Sequence, residues 1–205
     1  MTAVRTAAIR GARRTEVAAV AELLAAAMAE DPLSRWLHPV PEWRLAELRG
    51  SFEVEIERVC RPALGAHVLV DPDGALLAAA LWTPLPYRLS WLQQARLRTA
   101  LRGLHGERDP YLQHVSAATF TAAPQRPHWH LLAIGTDPAA RGHGHGRALL
   151  DFGIARADAE GLPTHLETTE PARIGFYARA GYRIAAEVDL PYGGPRSTIL
   201  CREAS

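Results

Sequence analysis

The period of the apolar positions changes several times along the chain, and each change marks an element. "VRTAAIR" has the short alternation of a strand, and "RGARRTEVAAVAELLAAAMAE" then places Val17, Val20, Leu23, Leu24 and Met28 at helical spacing. Arginines ahead of an alanine-rich run faintly resemble a leader segment, but Glu16 and Glu22 interrupt its apolar stretch, so an amphipathic helix is expected. That helix should stop near Asp31-Pro32, because the residue before a proline disfavours helical dihedrals. "PEWRLAELRGSFEVEIERVC" predicts a second helix with Leu45, Leu48, Phe52 and Ile56 on one stripe. "AHVLVDPDGALLAAALWTPL" reads as a hairpin, two apolar runs joined through Asp71-Pro72-Asp73-Gly74. From Pro84 to about Phe120 the pattern is helical but irregular.

The last third is the most regular. "HWHLLAIGT" has strand character and ends at Asp137-Pro138; "GRALLDFGIARADAEG" is a helix with Leu149, Leu150, Ile154 and Ala157 facing inward and Gly161 as its stop. "PTHLETT" supplies another strand, Pro171 opens a short helix, and Gly181 closes it. "YRIAAEVDL" and "RSTILCRE" form a hairpin around "PYGGP". This order of elements predicts a mixed α/β domain, and 205 residues without a low-complexity linker favour one domain over 1–205.

Charge narrows the partners. A net charge of +1, from 23 basic and 22 acidic residues, argues against a nucleic-acid surface, which normally carries a clustered basic excess. Small molecules are the expected partners. Every basic residue among those 23 is arginine, so a lysine Schiff base and a lysine-bearing phosphate loop are both excluded. Two isolated cysteines, Cys60 and Cys201, fit neither a disulfide framework nor a thiolate zinc cluster, and point to a reduced, cytoplasmic setting. No segment is long and apolar enough to span a membrane, so no membrane partner is expected.

The stretch "ARGHGHGRALL", residues 140–150, alternates three glycines with two histidines directly ahead of a helix. Glycines permit left-handed dihedrals and close backbone approach, and a helix mouth offers unpaired N–H donors at its positive end, so the stretch is a candidate anion cradle. A dinucleotide fingerprint fails here: counted from Gly142 the third glycine position is Arg147, and from Gly144 it is Leu149. His143 and His145 lack nearby thiolate or carboxylate partners at ligand spacing, so no metal is expected at them.

Arg141, Gly144 and Gly146 form an arginine, two residues, a glycine, one residue and a glycine, between a strand ending "IGTDP" and a leucine-rich helix. This resembles the acetyl-CoA signature of the GCN5-related N-acetyltransferase (GNAT) family. "LETTEPARIGFYARAGYR" resembles the family's later block, through Leu166, Glu167, Tyr177, Gly181 and Tyr182. Those two blocks, with the early "AEDPLSRWLHP", look most like the branch that acetylates the aminonucleoside puromycin. Many members carry an asparagine near the start of the tyrosine-bearing helix; this chain has none, and Glu170 stands in that neighbourhood.

The resemblance implies a GNAT fold, a central mixed sheet of about seven strands flanked by helices. It implies acetyl-CoA as donor substrate, a small-molecule primary amine as acceptor, no metal, and a monomer or homodimer. The N–H groups of Gly142, His143, Gly144, His145, Gly146 and Arg147 would wrap the pyrophosphate, with Arg141 or Arg147 adding charge. Ile134, Gly135 and Thr136 would run beside the pantetheine arm on a bulged strand, and an N–H at Leu131 or Leu132 would polarise the acetyl carbonyl. Tyr177, four residues before Gly181, is the candidate acid for the leaving thiolate. His130, eleven residues before Arg141, is the leading candidate base, with His128 on the same strand face as a relay or substrate contact. The acceptor is expected near Asp31 and Trp36 and loops around Trp82, Tyr87 and Tyr192, with Asp31 or Glu30 holding a cationic amine. Rival readings are an acetyltransferase for a polyamine, an amino acid or a protein N-terminus, and a coenzyme A sensor without turnover.

Overall fold

A computed structural model describes residues 7–86, 90–105, 110, 111, 119, 121 and 123–205. Its strands are β1 (Ala8–Gly11), β2 (Ala66–Val70), β3 (Leu76–Leu85), β4 (His128–Thr136), β5 (Thr164–Thr168), β6 (Arg183–Asp189) and β7 (Arg196–Arg202). They form one sheet in the order β1-β2-β3-β4-β5-β7-β6. Only β4 and β5 run parallel; every other neighbouring pair is antiparallel.

The helices are α1 (Val17–Met28), α2 (Pro32–Leu37), α3 (Pro41–Glu55), α4 (Trp91–His105), α5 (His145–Ala159) and α6 (Ile174–Ala178). On one face, Val20, Leu24, Phe52 and Ile56 from α1, α3 and the turn after it close over Val68, Leu81 and Ala133 of the sheet. On the other, Leu149, Leu150, Ile154 and Ala157 of α5 cover Leu69, Ala80, Trp82, Leu131 and Leu166. Alternation along each strand sends successive side chains to these two layers, so β4 carries Leu131 to one and His130 to the other.

The apolar pattern of α3 differs from its prediction at one position. Leu45 is 53% exposed, while Arg44, Leu48, Ser51 and Phe52 are buried. The inward row follows four-residue steps through 44, 48 and 52, and Arg44 tolerates burial because its guanidinium donates to the carbonyls of His38 and Ala29 and pairs with Glu30. A short helix unforeseen in the sequence, α2, starts at Pro32 with the Asp31 carboxylate accepting from the Leu33 N–H as its cap. In the irregular stretch, α4 is described; Tyr87 and Phe120 lie outside the described residues, as does most of the chain between 105 and 123.

Trp82, expected in a loop near the acceptor, is instead core: it is 2% exposed and α5 lies across its indole. The approach is close enough to require glycine, since a Cβ at Gly153 would sit 2.3 Å from Trp82 Cε2. Gly153→Ala should therefore lower the urea midpoint, by about 1–3 kcal/mol of stability for an overpacked core, although alanine is the better helix former by about 1 kcal/mol. An unchanged or raised midpoint would show that α5 lifts off the sheet freely.

Candidate active site

The parallel pairing of β4 and β5 is short. It runs through Trp129 with Thr164, His130 with His165 and Leu131 with Leu166, and stops there. On its other side β4 pairs with β3 to Thr136, but between Leu81 opposite Ala133 and Trp82 opposite Leu131 the register shifts, leaving Leu132 as an extra residue. This bulge turns β4 away from β5 and opens the sheet at its centre. Among the described residues, no strand pairs with β4 beyond Leu131 on the β5 side.

Two hollows meet at that opening. The larger, about 610 Å³, is lined by Ile134, Gly135 and Thr136 of β4, by Arg141, Gly142, Gly144, His145, Gly146 and Arg147, and by Glu170, Phe176 and Tyr177. The smaller, about 210 Å³, is lined by His130, Leu132, Glu167, Thr169 and Ser197 among others. Asp31, Ile134, Arg173 and Tyr177 border both.

Local chain geometry builds the cradle as its glycines suggest. Gly142 and Gly144 have φ of +84° and +79°, in the left-handed region that a side chain disfavours. Gly144 caps α5, and its carbonyl accepts from Ala148, so the amides of His145, Gly146 and Arg147 precede the helical ladder. Gly146 brings the helix mouth against β4, where a Cβ would lie 3.2 Å from Thr136 Oγ1. The Arg147 guanidinium is held 2.8 Å from Asp151. His143 does not line the hollow; its Nδ1 donates to the carbonyl of Arg141, and its ring stacks on His145.

The residue match extends over most of the chain. The model of the acetyltransferase (GNAT) family matches residues 37–182. The chain belongs to the GNAT family. It is an acetyl-CoA-dependent N-acetyltransferase. A solved Corynebacterium glutamicum protein, named as histone acetyltransferase HPA2 and related acetyltransferase, is 28% identical over 98% of this chain and 97% of its own, with a TM-score of 0.75. The Aedes aegypti arylalkylamine N-acetyltransferase 2 shares the fold at 11% identity, TM-score 0.65, over 97% and 99% of the two chains. Drosophila melanogaster polyamine N-acetyltransferase does so at 17% identity, TM-score 0.63, over 96% and 99%.

In this GNAT domain the smaller hollow borders a polar cluster that sequence spacing did not reveal. His130 Nε2 lies 2.7 Å from Glu167 Oε2, His165 Nε2 lies 3.4 Å from Glu167 Oε1, and the two imidazoles stack at 4.3 Å. Burial alone would lower the His130 pKa, but the charge and hydrogen bond of Glu167, with Glu55 behind, raise it. Burial would equally raise Glu167, yet His130 and His165 hold it below the usual carboxylate range. Glu55, half-buried at the end of α3, is pushed up to about 7 by burial, with His130 opposing. The sequence marks Glu167 only as part of the family's later block and gives no sign of His165 or Glu55; only the strand register brings residues 130 and 165 side by side.

Tyr177 is 5% exposed on α6, and its hydroxyl pKa is raised by burial, offset in part by Arg173 and increased by Asp31. It therefore holds its proton at neutral pH. Asp31 accepts from the Thr169 hydroxyl at 2.8 Å, which ties the α1–α2 corner to the end of β5. The expected acceptor contacts Trp36, Tyr192 and His128 line neither of these two hollows. Trp36 packs at 5.7 Å against Tyr111, which packs at 4.5 Å against the exposed Tyr192. His128 is buried beneath the cluster, edge-on to His165 at 4.7 Å, with its Nδ1 donating to the carbonyl of Arg126.

Proposed function

We propose that this enzyme moves the acetyl group of acetyl-CoA onto the primary amine of a small cytoplasmic molecule, with an aminonucleoside antibiotic such as puromycin as the favoured acceptor. The observation that carries this reading is the meeting of the two hollows at Tyr177, where β4 and β5 part. The larger hollow suits the donor, with glycine-exposed amides at the mouth of α5 for its pyrophosphate and the freed edge of β4 for the amides of its arm. The smaller suits the acceptor, with His130 and Glu167 in its wall.

The chemistry follows from those places. His130, made more basic by Glu167, takes the proton of the acceptor ammonium, and the freed nitrogen attacks the thioester carbon. Negative charge on the carbonyl oxygen is met by the N–H at Leu131 or Leu132, beside the bulge. Collapse breaks the carbon–sulfur bond, and the Tyr177 hydroxyl donates its proton to the departing thiolate. The phenolate so formed recovers a proton from the acylated nitrogen, while His130 passes its proton to solvent. The products are an N-acetyl amide and free coenzyme A.

A second reading, acetylation of a polyamine or agmatine, draws on Asp31 and Glu167 in the smaller hollow and on the names of the agmatine and Drosophila polyamine enzymes that share the fold. Incubating the protein and acetyl-CoA with puromycin, agmatine, polyamines, amino acids and N-terminal peptides, with mass detection, separates the readings. Acetyl-puromycin is the expected product; acetylation of agmatine or polyamines alone would transfer the assignment to them. Release of no free thiol with any amine, despite bound coenzyme A, would favour the sensor. With the acceptor in hand, His130→Gln should lower kcat by about 10²–10⁴-fold while the KM for acetyl-CoA stays put; an unaltered kcat would remove His130 as base.

A further inference from the structure

His130, His165 and Glu167 do more than pair: their side-chain ligand atoms all lie within 4.8 Å of one another. We infer that this trio is a binding site for a divalent transition-metal ion, zinc by its ligand chemistry, and that the ion regulates the acetyltransferase by occupying its base.

The donor set is two imidazoles and a carboxylate, the nitrogen and oxygen ligands zinc takes at about 2.0–2.2 Å. Both Nε2 atoms address the one Glu167 carboxylate, His130 at 2.7 Å and His165 at 3.4 Å. The rings stack at 4.3 Å within 16° of parallel, which sets the two nitrogens side by side along the carboxylate, each facing its own oxygen. A modest tilt of the rings would turn both lone pairs onto one ion. The backbone fixes the arrangement: His130 and His165 are register partners across the parallel ladder, and Glu167 follows His165 by two residues on the same strand face. The His165 side chain is 2% exposed, and among the described residues its Nδ1 has no hydrogen-bond partner, so an ion at Nε2 would leave the ring proton on Nδ1 without displacing a bond there.

Metal would replace the proton that His130 and Glu167 now share, and binding would release protons to solvent. Three protein ligands leave a fourth position, and His130 and Glu167 line the smaller hollow, so a water or the acceptor amine would fill it. An ion on the His130 lone pair removes the proton acceptor, so occupancy halts turnover. That inhibition rests on His130 being the base; the binding itself does not.

Chelator-treated protein should bind one Zn2+ per chain in a calorimetric titration, and Co2+ at the same site should give ligand-field absorption. His165→Asn and Glu167→Gln, each verified as folded by an unaltered affinity for coenzyme A, should weaken both signals at least about tenfold. A wild-type protein that binds neither ion, or variants that bind them as well as wild type does, would overturn the site. Turnover should fall on adding Zn2+ and return with chelator. If Zn2+ binds with the expected variant dependence but turnover persists, the metal site stands and the assignment of His130 as base fails.

Discussion

Tyr177→Phe loses about 10²–10⁴-fold in kcat while retaining coenzyme A affinity, because only the proton donor is removed. The ring itself is core: it packs at 5.1 Å on Phe176 and 6.1 Å on Tyr182, contacts that phenylalanine keeps. Burial holds the hydroxyl in its protonated form well past neutrality, so the wild-type group is always armed when a thiolate leaves. Steady-state kinetics with a thiol-detecting assay read the loss. If the variant turns over at the wild-type rate with intact donor binding, the thiolate draws its proton from elsewhere and Tyr177 is only packing.

The second large effect concerns the cradle. Gly144→Val places a β-branched residue at φ +79°, where the left-handed conformation costs an L-residue about 1–2 kcal/mol or more. The chain relieves this by rotating residues 142–146 toward ordinary dihedrals, which turns their amides away from the larger hollow. Coenzyme A affinity should fall by about 10²-fold, as for the loss of two or three net hydrogen bonds to a charged group. Stability should change far less than affinity, since nothing lies within 4 Å of a Cβ built there. Gly74, at φ +93° in the β2–β3 turn with equally open space, supplies the control. Gly74→Val carries the same kind of strain and should leave coenzyme A binding untouched; equal losses in both variants would show general damage in place of a lost cradle.

What could be read from the sequence followed from local physics. The inward stripe of α5 through Leu149, Leu150, Ile154 and Ala157 is a repeating apolar pattern, and the left-handed glycines at 142, 144, 161 and 181 announce themselves by the absence of a side chain. Leu45 misled because helical spacing does not say which adjacent row faces the sheet, and Arg44 took the inward place once carbonyls were available for its guanidinium. Trp82 misled because an aromatic near a turn signal looks like a loop, while its partner, the bare surface of Gly153, lies far along the chain. The His130, His165 and Glu167 cluster is invisible to spacing for a related reason. It exists only through a parallel register across the α5 crossover, and no residue on β4 states which strand will lie beside it.

The shape of the site comes from one extra residue. Leu132 interrupts the β3–β4 register, β4 leaves β5 after Leu131, and the two hollows meet in the gap. The family membership explains why acetyl-CoA is the donor; the splay and the cradle explain how this chain would hold it. A calorimetric titration of coenzyme A into the wild-type protein and into Gly144→Val tests that account most directly. It predicts one site per chain, saturable in the wild type and about 10²-fold weaker in the variant. Equal affinities, or a wild-type protein that ignores coenzyme A, would contradict it.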